Sequence, residues 1–236
     1  MGCVVNSVTN RQATFNEKPA EQQRWLTPAL LALQNQPQKL AEHLDSNTVC
    51  LQNEGAALPL NNLQTRTSVI TLGGNSDAFV EGLKLFFQPS VAYIYAEQAV
   101  EEVEKIKTVE RCIVSVHAAG PNSTELSDWS LKSLAKIPKC KEMILVIFGN
   151  VQKLKTEHLE RFDAVLWVPE NHPEAQNRCA QKLVGALPLV GRLDKKMLDF
   201  DAGDGIYVAS NGRLSFETPE ALGMDSKRFE KIDQMA

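Results

Sequence analysis

From Thr67 onward, short apolar runs rich in β-branched residues alternate with longer stretches whose apolar positions recur at helical spacing. Five runs read as strands: 68–72 (SVITL), 91–95 (VAYIY), 112–117 (CIVSVH), 143–148 (MILVIF) and 164–168 (AVLWV). Helices are predicted between and after them, over 76–87, 98–107, 124–137, 153–161 and 173–187. Strands that are apolar throughout are buried on both faces, and a helix after each strand is what a parallel sheet with crossovers requires. The pattern therefore predicts an α/β fold, a three-layer αβα sandwich with a mostly parallel, flavodoxin-like sheet of five to six strands.

Turn residues fall where this reading needs them. Gly73-Gly74-Asn75-Ser76 follows the first strand with Ser76 as a helix cap, Asn122-Ser123-Thr124 offers a cap after the third, Pro138 closes the next helix, and Gly149-Asn150 ends the fourth strand. Upstream, 19–34 and 37–52 read as helices, with Trp25, Leu26, Leu30 and Leu33 on one side of the first and Pro28 interrupting it. Gly55 supplies a left-handed stop to the second, and Leu58 and Leu60 flank Pro59 in a short strand or lead-in to the sheet. Beyond Gly191 the regularity fails: 199–205 (DFDAGDG) is an acidic turn, 206–208 and 214–216 around Asn211-Gly212 form a small hairpin or an extended linker, and 225–236 is a last short helix. The expected division is a helical lead-in over 1–45, a sandwich over 46–200, and a linker with the first helix of a further domain over 201–236.

Composition is that of a globular chain, with 43% hydrophobic and 23% charged residues among 236. A net charge of −4 gives no basic excess of the kind nucleic acid or an anionic membrane would select, so no nucleic-acid partner is expected. Cys3, Cys50, Cys112, Cys140 and Cys179 are scattered and mostly lie in apolar runs, as free thiols that pack as small hydrophobes. Residues 1–5 have neither the charged leader nor the apolar centre of a signal peptide, and Asn6 stands where a myristoylation motif wants Ser or Thr. The compartment is left open.

Chemistry-bearing residues are sparse. Ser133 and Lys136 have the Ser-x-x-Lys spacing that sets an amine one turn from a hydroxyl, but within an amphipathic helix and with no Lys-Thr-Gly partner downstream. Gly73-Gly74 fits neither phosphate-binding glycine pattern and reads as a turn. Asp199, Asp201 and Asp204 lack the glycine and oxygen ligands of a calcium loop, and His43, His117, His158 and His172 lack zinc spacing. No metal or cofactor is expected. His117 and Asn122 after the third strand, and Glu170, Asn171 and His172 after the fifth, lie at the sheet edge where α/β folds place ligands. These five are the candidate contacts to a sugar or a neighbouring domain.

Three motifs then carry a resemblance. Residues 48–60 (TVCLQNEGAALPL), Phe148-Gly149-Asn150, and Pro173-Glu174-Ala175-Gln176 with 185–193 (GALPLVGRL) resemble, in order, motifs of the C-terminal α/β sandwich domain of glycoside hydrolase family 3, over about 47–196. Val151, Val190 and Asp194 depart from that family's proline, serine and proline. Residues 216–233 (FETPEALGMDSKRFEKID) resemble the lead-in and first helix of a serine β-lactamase-like domain.

The resemblance implies a non-catalytic module of a bacterial, β-N-acetylglucosaminidase-type enzyme that hydrolyses O-glycosyl bonds, packed against a catalytic (β/α)8 barrel and followed by the β-lactamase-like domain. In such enzymes the nucleophilic Asp belongs to the barrel; the acid/base is a barrel His in N-acetylglucosaminidase-type members and a sandwich Glu in glucosidase-type members. No segment matches that glutamate, so no catalytic residue is expected in this chain, which reads as a piece of a longer protein. Cut from the barrel, it would expose apolar surface and dimerise. Two other readings stand beside this one: a free-standing module binding a small ligand or carbohydrate at the strand ends, and a serine hydrolase acting through Ser133.

Overall fold

The computed structural model describes residues 36–95, 109–118, 125–217, 219 and 222–225. Helix α1 (Pro37–Asn47) leads into strand β1 (Val49–Asn53), followed by β2 (Thr67–Gly73), α2 (Asp77–Lys84), β3 (Ser90–Ile94), β4 (Arg111–His117), α3 (Asp128–Leu134), β5 (Glu142–Phe148), β6 (Ala164–Val168) and α4 (Pro173–Leu183). The sheet runs β1-β6-β5-β4-β2-β3. Strands β2 to β6 are mutually parallel and β1 lies antiparallel on β6. Counted among the parallel strands alone, the order is the flavodoxin-like 2-1-3-4-5, whose direction of winding reverses between β2 and β4.

The central strands are apolar because both of their faces are covered. Val69, Ile113, Ile144, Val146 and Leu166 face one cluster with Phe79, Val80, Leu83, Cys179 and Leu183 from α2 and α4. Ile70, Val114, Leu145, Ile147 and Val165 face the other, with Leu131 and Leu134 of α3 and with Leu154, Leu159 and Phe162. Helix α2 approaches α4 closely at Gly82, where a Cβ would sit 3.0 Å from that of Ala180. Helix α4 ends in a Schellman turn: Gly185 at φ +78° donates to Lys182, and the Ala186 amide donates to Gln181.

Several expected elements differ. The helix expected over 37–52 stops at Asn47, and residues 49–53 are strand β1. Val49 and Cys50 bury into opposite cores, a two-residue alternation that a helix cannot give. Gly55 is left-handed at φ +58°, but it sits inside a short 3-10 turn, Glu54–Ala56, after a strand, and Leu58 and Leu60 anchor an irregular lead-in. The helix expected over 124–137 begins at Asp128, with Ser127 accepting the Ser130 amide as cap; the helix over 153–161 reduces to one 3-10 turn, Thr156–His158. The expected helices over 19–34 and 98–107 and the cap at Asn122 lie outside the described residues, as does 226–236 of the last helix.

The segment 204–217 forms no hairpin at Asn211-Gly212; it lies extended on the sandwich. Ile206 donates to Cys50, Val208 and Leu189 exchange bonds, and Arg213 donates to the Leu60, Asn61 and Val184 carbonyls. Gln181 bonds both ways with the backbone of Phe216. At its end Glu217 accepts two bonds from Arg178 of α4, at 2.9 and 2.8 Å, while Asp45 of α1 takes the other side of the same guanidinium at 3.0 and 2.7 Å. Fully buried Lys182 donates to the carbonyls of Leu44 and Asp45. Burial alone would raise the Asp45 carboxyl, but the bonds and charges of Arg178 and Lys182 outweigh it and hold it below the usual carboxylate range.

Candidate functional site

The carboxyl ends of β2, β4, β5 and β6 come together at one edge, where the winding reversal of a parallel sheet normally opens a crevice. Among the described residues, backbones approach one another closely there. Gly73 has φ +100°, and a Cβ on it would lie 2.3 Å from the His117 carbonyl oxygen; a Cβ on Gly74 would lie 2.1 Å from that of Ala118. The loops continue as a seam of amide bonds, Ala118 to Phe148 at 3.0 Å and Gly149 to Val168 at 2.9 Å. The Trp167 indole closes over it with a bond to Gly149. The two glycines thus serve close approach between backbones.

His117 ends β4 with its ring stacked on Phe148, centroids 4.6 Å apart, and is completely buried. Its tautomer follows from its neighbours. Gln176 accepts the Phe79 amide with Oε1, so its Nε2 is the donor to Asn75 and to Asn171 Oδ1 at 2.7 Å. Asn171 Oδ1 is therefore an acceptor, and His117 Nδ1 donates to it at 2.9 Å. Nε2 is left to accept the Ser115 hydroxyl at 3.0 Å. Burial pushes this imidazole down to about 4, against the opposing bond to Asn171, so the ring is neutral at physiological pH.

His172 is the N-cap of α4, accepting the Glu174 amide on Nδ1 at 3.2 Å, and burial lowers it to about 4 as well. Glu170 is 7% exposed and meets His43 of α1 at 3.2 Å, which in turn contacts Asn47 at 2.9 Å. Of the five candidate residues, the structure brings His117 and Asn171 into direct contact, sets Glu170 and His172 on either side of Asn171, and leaves Asn122 outside the described residues. Sequence reading missed Ser115, Gln176 and His43. Ser115 could have been inferred from His117, since residues two apart share a strand face.

The remaining motifs resolve locally. The Ser133 hydroxyl donates to the Trp129 carbonyl one turn back at 2.7 Å, and Lys136 is exposed beyond the end of α3. Asp199 accepts from Thr156, and Asp204 caps the Asp201 amide at 2.7 Å. Burial pushes the Cys50 and Cys179 thiols up to about 12, so neither is a thiolate nucleophile. Among the described residues no three His, Cys, Asp or Glu side chains converge as metal ligands, and no helix is long and apolar enough to cross a membrane.

No family model and no curated protein matches the sequence. Solved structures share its architecture. A fungal multi-domain GH3 β-N-acetylglucosaminidase, described with a GCN5-related glucosamine N-acetyltransferase region, matches 77% of this chain at 16% identity and a TM-score of 0.57. That protein and a Paenibacillus enzyme among the neighbours are named as family 3 glycoside hydrolases. The neighbours include that Paenibacillus β-N-acetylglucosaminidase (TM-score 0.49, 13% identity, 78% of this chain) and a Listeria innocua β-glucosidase (0.46, 17%, 61%). At such identities the likeness is one of fold. This chain spans 21% of the fungal protein, 34% of the Paenibacillus one and 25% of the Listeria one.

Proposed function

We propose that residues 46–200 are a non-catalytic sandwich module of a family 3 glycoside hydrolase of the β-N-acetylglucosaminidase type, which packs on a catalytic (β/α)8 barrel and shapes the cleft where O-glycosyl bonds are hydrolysed. In this reading 1–45 is the lead-in from the barrel, and 201–236 leads on to a β-lactamase-like domain. The observation that carries it is the fold shared with the fungal multi-domain enzyme. The state of the sheet edge supports the non-catalytic part: a general base needs a free lone pair near the substrate, and both nitrogens of His117 are engaged inside the protein. The arrangement orders loops rather than moving protons.

The test is to isolate the native protein from its source and map it by intact mass and peptide coverage. A heavier polypeptide in which a barrel precedes this sequence is the expected result. A mature native product with no barrel overturns the reading.

A further inference from the structure

Cys112 and Met143 are register partners near the start of β4 and β5, and both side chains enter the core cluster on the α3 side of the sheet. Residues paired across adjacent strands have backbones about 4.8 Å apart, so the Cys112 thiol and the Met143 thioether are neighbours. Three residues before Met143, a chain that stayed extended would carry Cys140 about 10 Å back along the strand. It does not run that way. The Cys140 amide donates to Met143 Sδ at 3.3 Å, which folds the junction between α3 and β5 back against the same cluster, and the Cys140 side chain packs on that cluster. Both cysteines thus flank one methionine side chain on one face of the sheet.

The two thiols differ in access. Cys112 is 1% exposed, whereas Cys140 is half-buried and its Sγ makes only a weak bond to the Pro138 carbonyl at 3.9 Å. Burial first, and then the Cys140 thiol, push the Cys112 thiol up, so Cys112 by itself is a poor nucleophile toward a reagent in solution. Cys50 and Cys179 lie in the cluster on the opposite face of the sheet and are wholly buried. A half-exposed thiol beside a buried one is the arrangement in which a reagent reaches the first and the second resolves the product.

We propose that Cys112 and Cys140 are a redox-responsive pair that a low-molecular-weight disulfide converts to an intramolecular disulfide, with Cys140 attacking the reagent and Cys112 resolving the adduct. The Cys140 thiolate breaks the reagent's S–S bond, forms a mixed disulfide and expels one thiolate. The Cys112 sulfur gives its proton to that thiolate and displaces the second, which takes up through solvent the proton that Cys140 lost. Two protein thiols are oxidised by two electrons, and the reagent leaves as two thiols. The new bond pins the junction between α3 and β5 to β4. It is independent of any role beside a catalytic barrel.

The test is to incubate the full chain under native conditions with glutathione disulfide, quench it in acid, alkylate the remaining thiols after unfolding, and map the peptides by mass spectrometry. A Cys112–Cys140 linked peptide is expected, released by dithiothreitol, with Cys50 and Cys179 recovered as alkylated thiols. In Cys112→Ala the glutathione adduct on Cys140 is expected to accumulate roughly tenfold over its level in the native chain, because nothing resolves it. In Cys140→Ala, Cys112 stays reduced. A native chain in which Cys140 remains unmodified, carries a lasting glutathione adduct beside a free Cys112, or is linked to any other cysteine overturns the inference. The map of the native chain decides this alone, whether or not either variant folds.

Discussion

His117 shows how a residue suited to proton transfer becomes a structural one. Its ring is stacked, buried and held as the Nδ1–H tautomer by Asn171 and Ser115, so protonation would have to turn the Ser115 hydroxyl from donor to acceptor and place a charge in a fully buried site. Unfolded, the same imidazole titrates near its ordinary value. Between about pH 6.5 and 4 the unfolded chain therefore binds more protons than the folded one, and stability falls as pH is lowered through that window. The loss from His117 is on the order of 3 kcal/mol by pH 4. Denaturant titrations at pH 7, 5.5 and 4.5 should show it; His117→Gln should remove its share and make the dependence shallower, while His172, which burial lowers as far, keeps its own share, and an equally steep dependence in that variant would assign the effect to other groups. Asp45 acts in the same direction, because its depressed carboxyl loses Arg178 and Lys182 as acid protonates it. In the sequence, a histidine at a strand end after an apolar run marked the edge position, but the tautomer depends on Gln176, 59 positions away in chain order and adjacent only in the fold.

At the scale of elements, the five parallel strands were legible because burial on both faces leaves few polar positions within them. Strand β1 was not: Thr48 to Gln52 follows a helical stretch without a glycine or proline break, and only pairing with β6 makes it extended. The single turn at Thr156–His158 was equally hidden, since Leu154, Leu159 and Phe162 fit a helical face yet reach the core from a loop. Gly73-Gly74 was correctly read as a turn, though its cause, the backbone of β4 pressed against it, is tertiary. Gly74→Ala is expected to cost about 2–3 kcal/mol by forcing that seam apart, against roughly 1 kcal/mol for Gly203→Ala, where the space is open and only the positive φ resists. Equal melting temperatures for the two variants would show that the seam gives way freely.

The tail is another element whose role lies in what it ties together. Glu217, Arg178 and Asp45 join the end of the chain's extended segment to α4 and α1 through one buried guanidinium. Removing that guanidinium leaves carboxylates facing each other over a partly buried gap, so Arg178→Ala should destabilise the fold by about 3 kcal/mol. Glu217→Gln should act locally, speeding hydrogen exchange and proteolysis over 211–217 with little change in the core. Unchanged exchange there would mean that Arg213 and Gln181 alone hold the segment.

For the whole molecule, the reversal of winding between β2 and β4 is the place where this class of sheet is free to bind ligands, and here its described residues are bonded to one another. Gly74 against Ala118, the Gln176–Asn171–His117–Ser115 chain, and Glu170 against His43 turn an edge of loops into a shared hydrogen-bonded layer. Under the proposed function this layer is the flank turned toward a neighbouring domain. The likeness to the fungal enzyme is one of fold, over 21% of that protein's length, and the role proposed above, a module beside a cleft whose reacting groups lie elsewhere, is what remains to be measured. The most direct measurement is turnover of an aryl N-acetyl-β-glucosaminide by the purified chain, on a sample whose cooperative unfolding shows it to be folded. Release of the aryl group at the rate of the buffer blank is expected; hydrolysis at enzymic rates, abolished by substitution of a residue within this chain, would contradict a scaffold role.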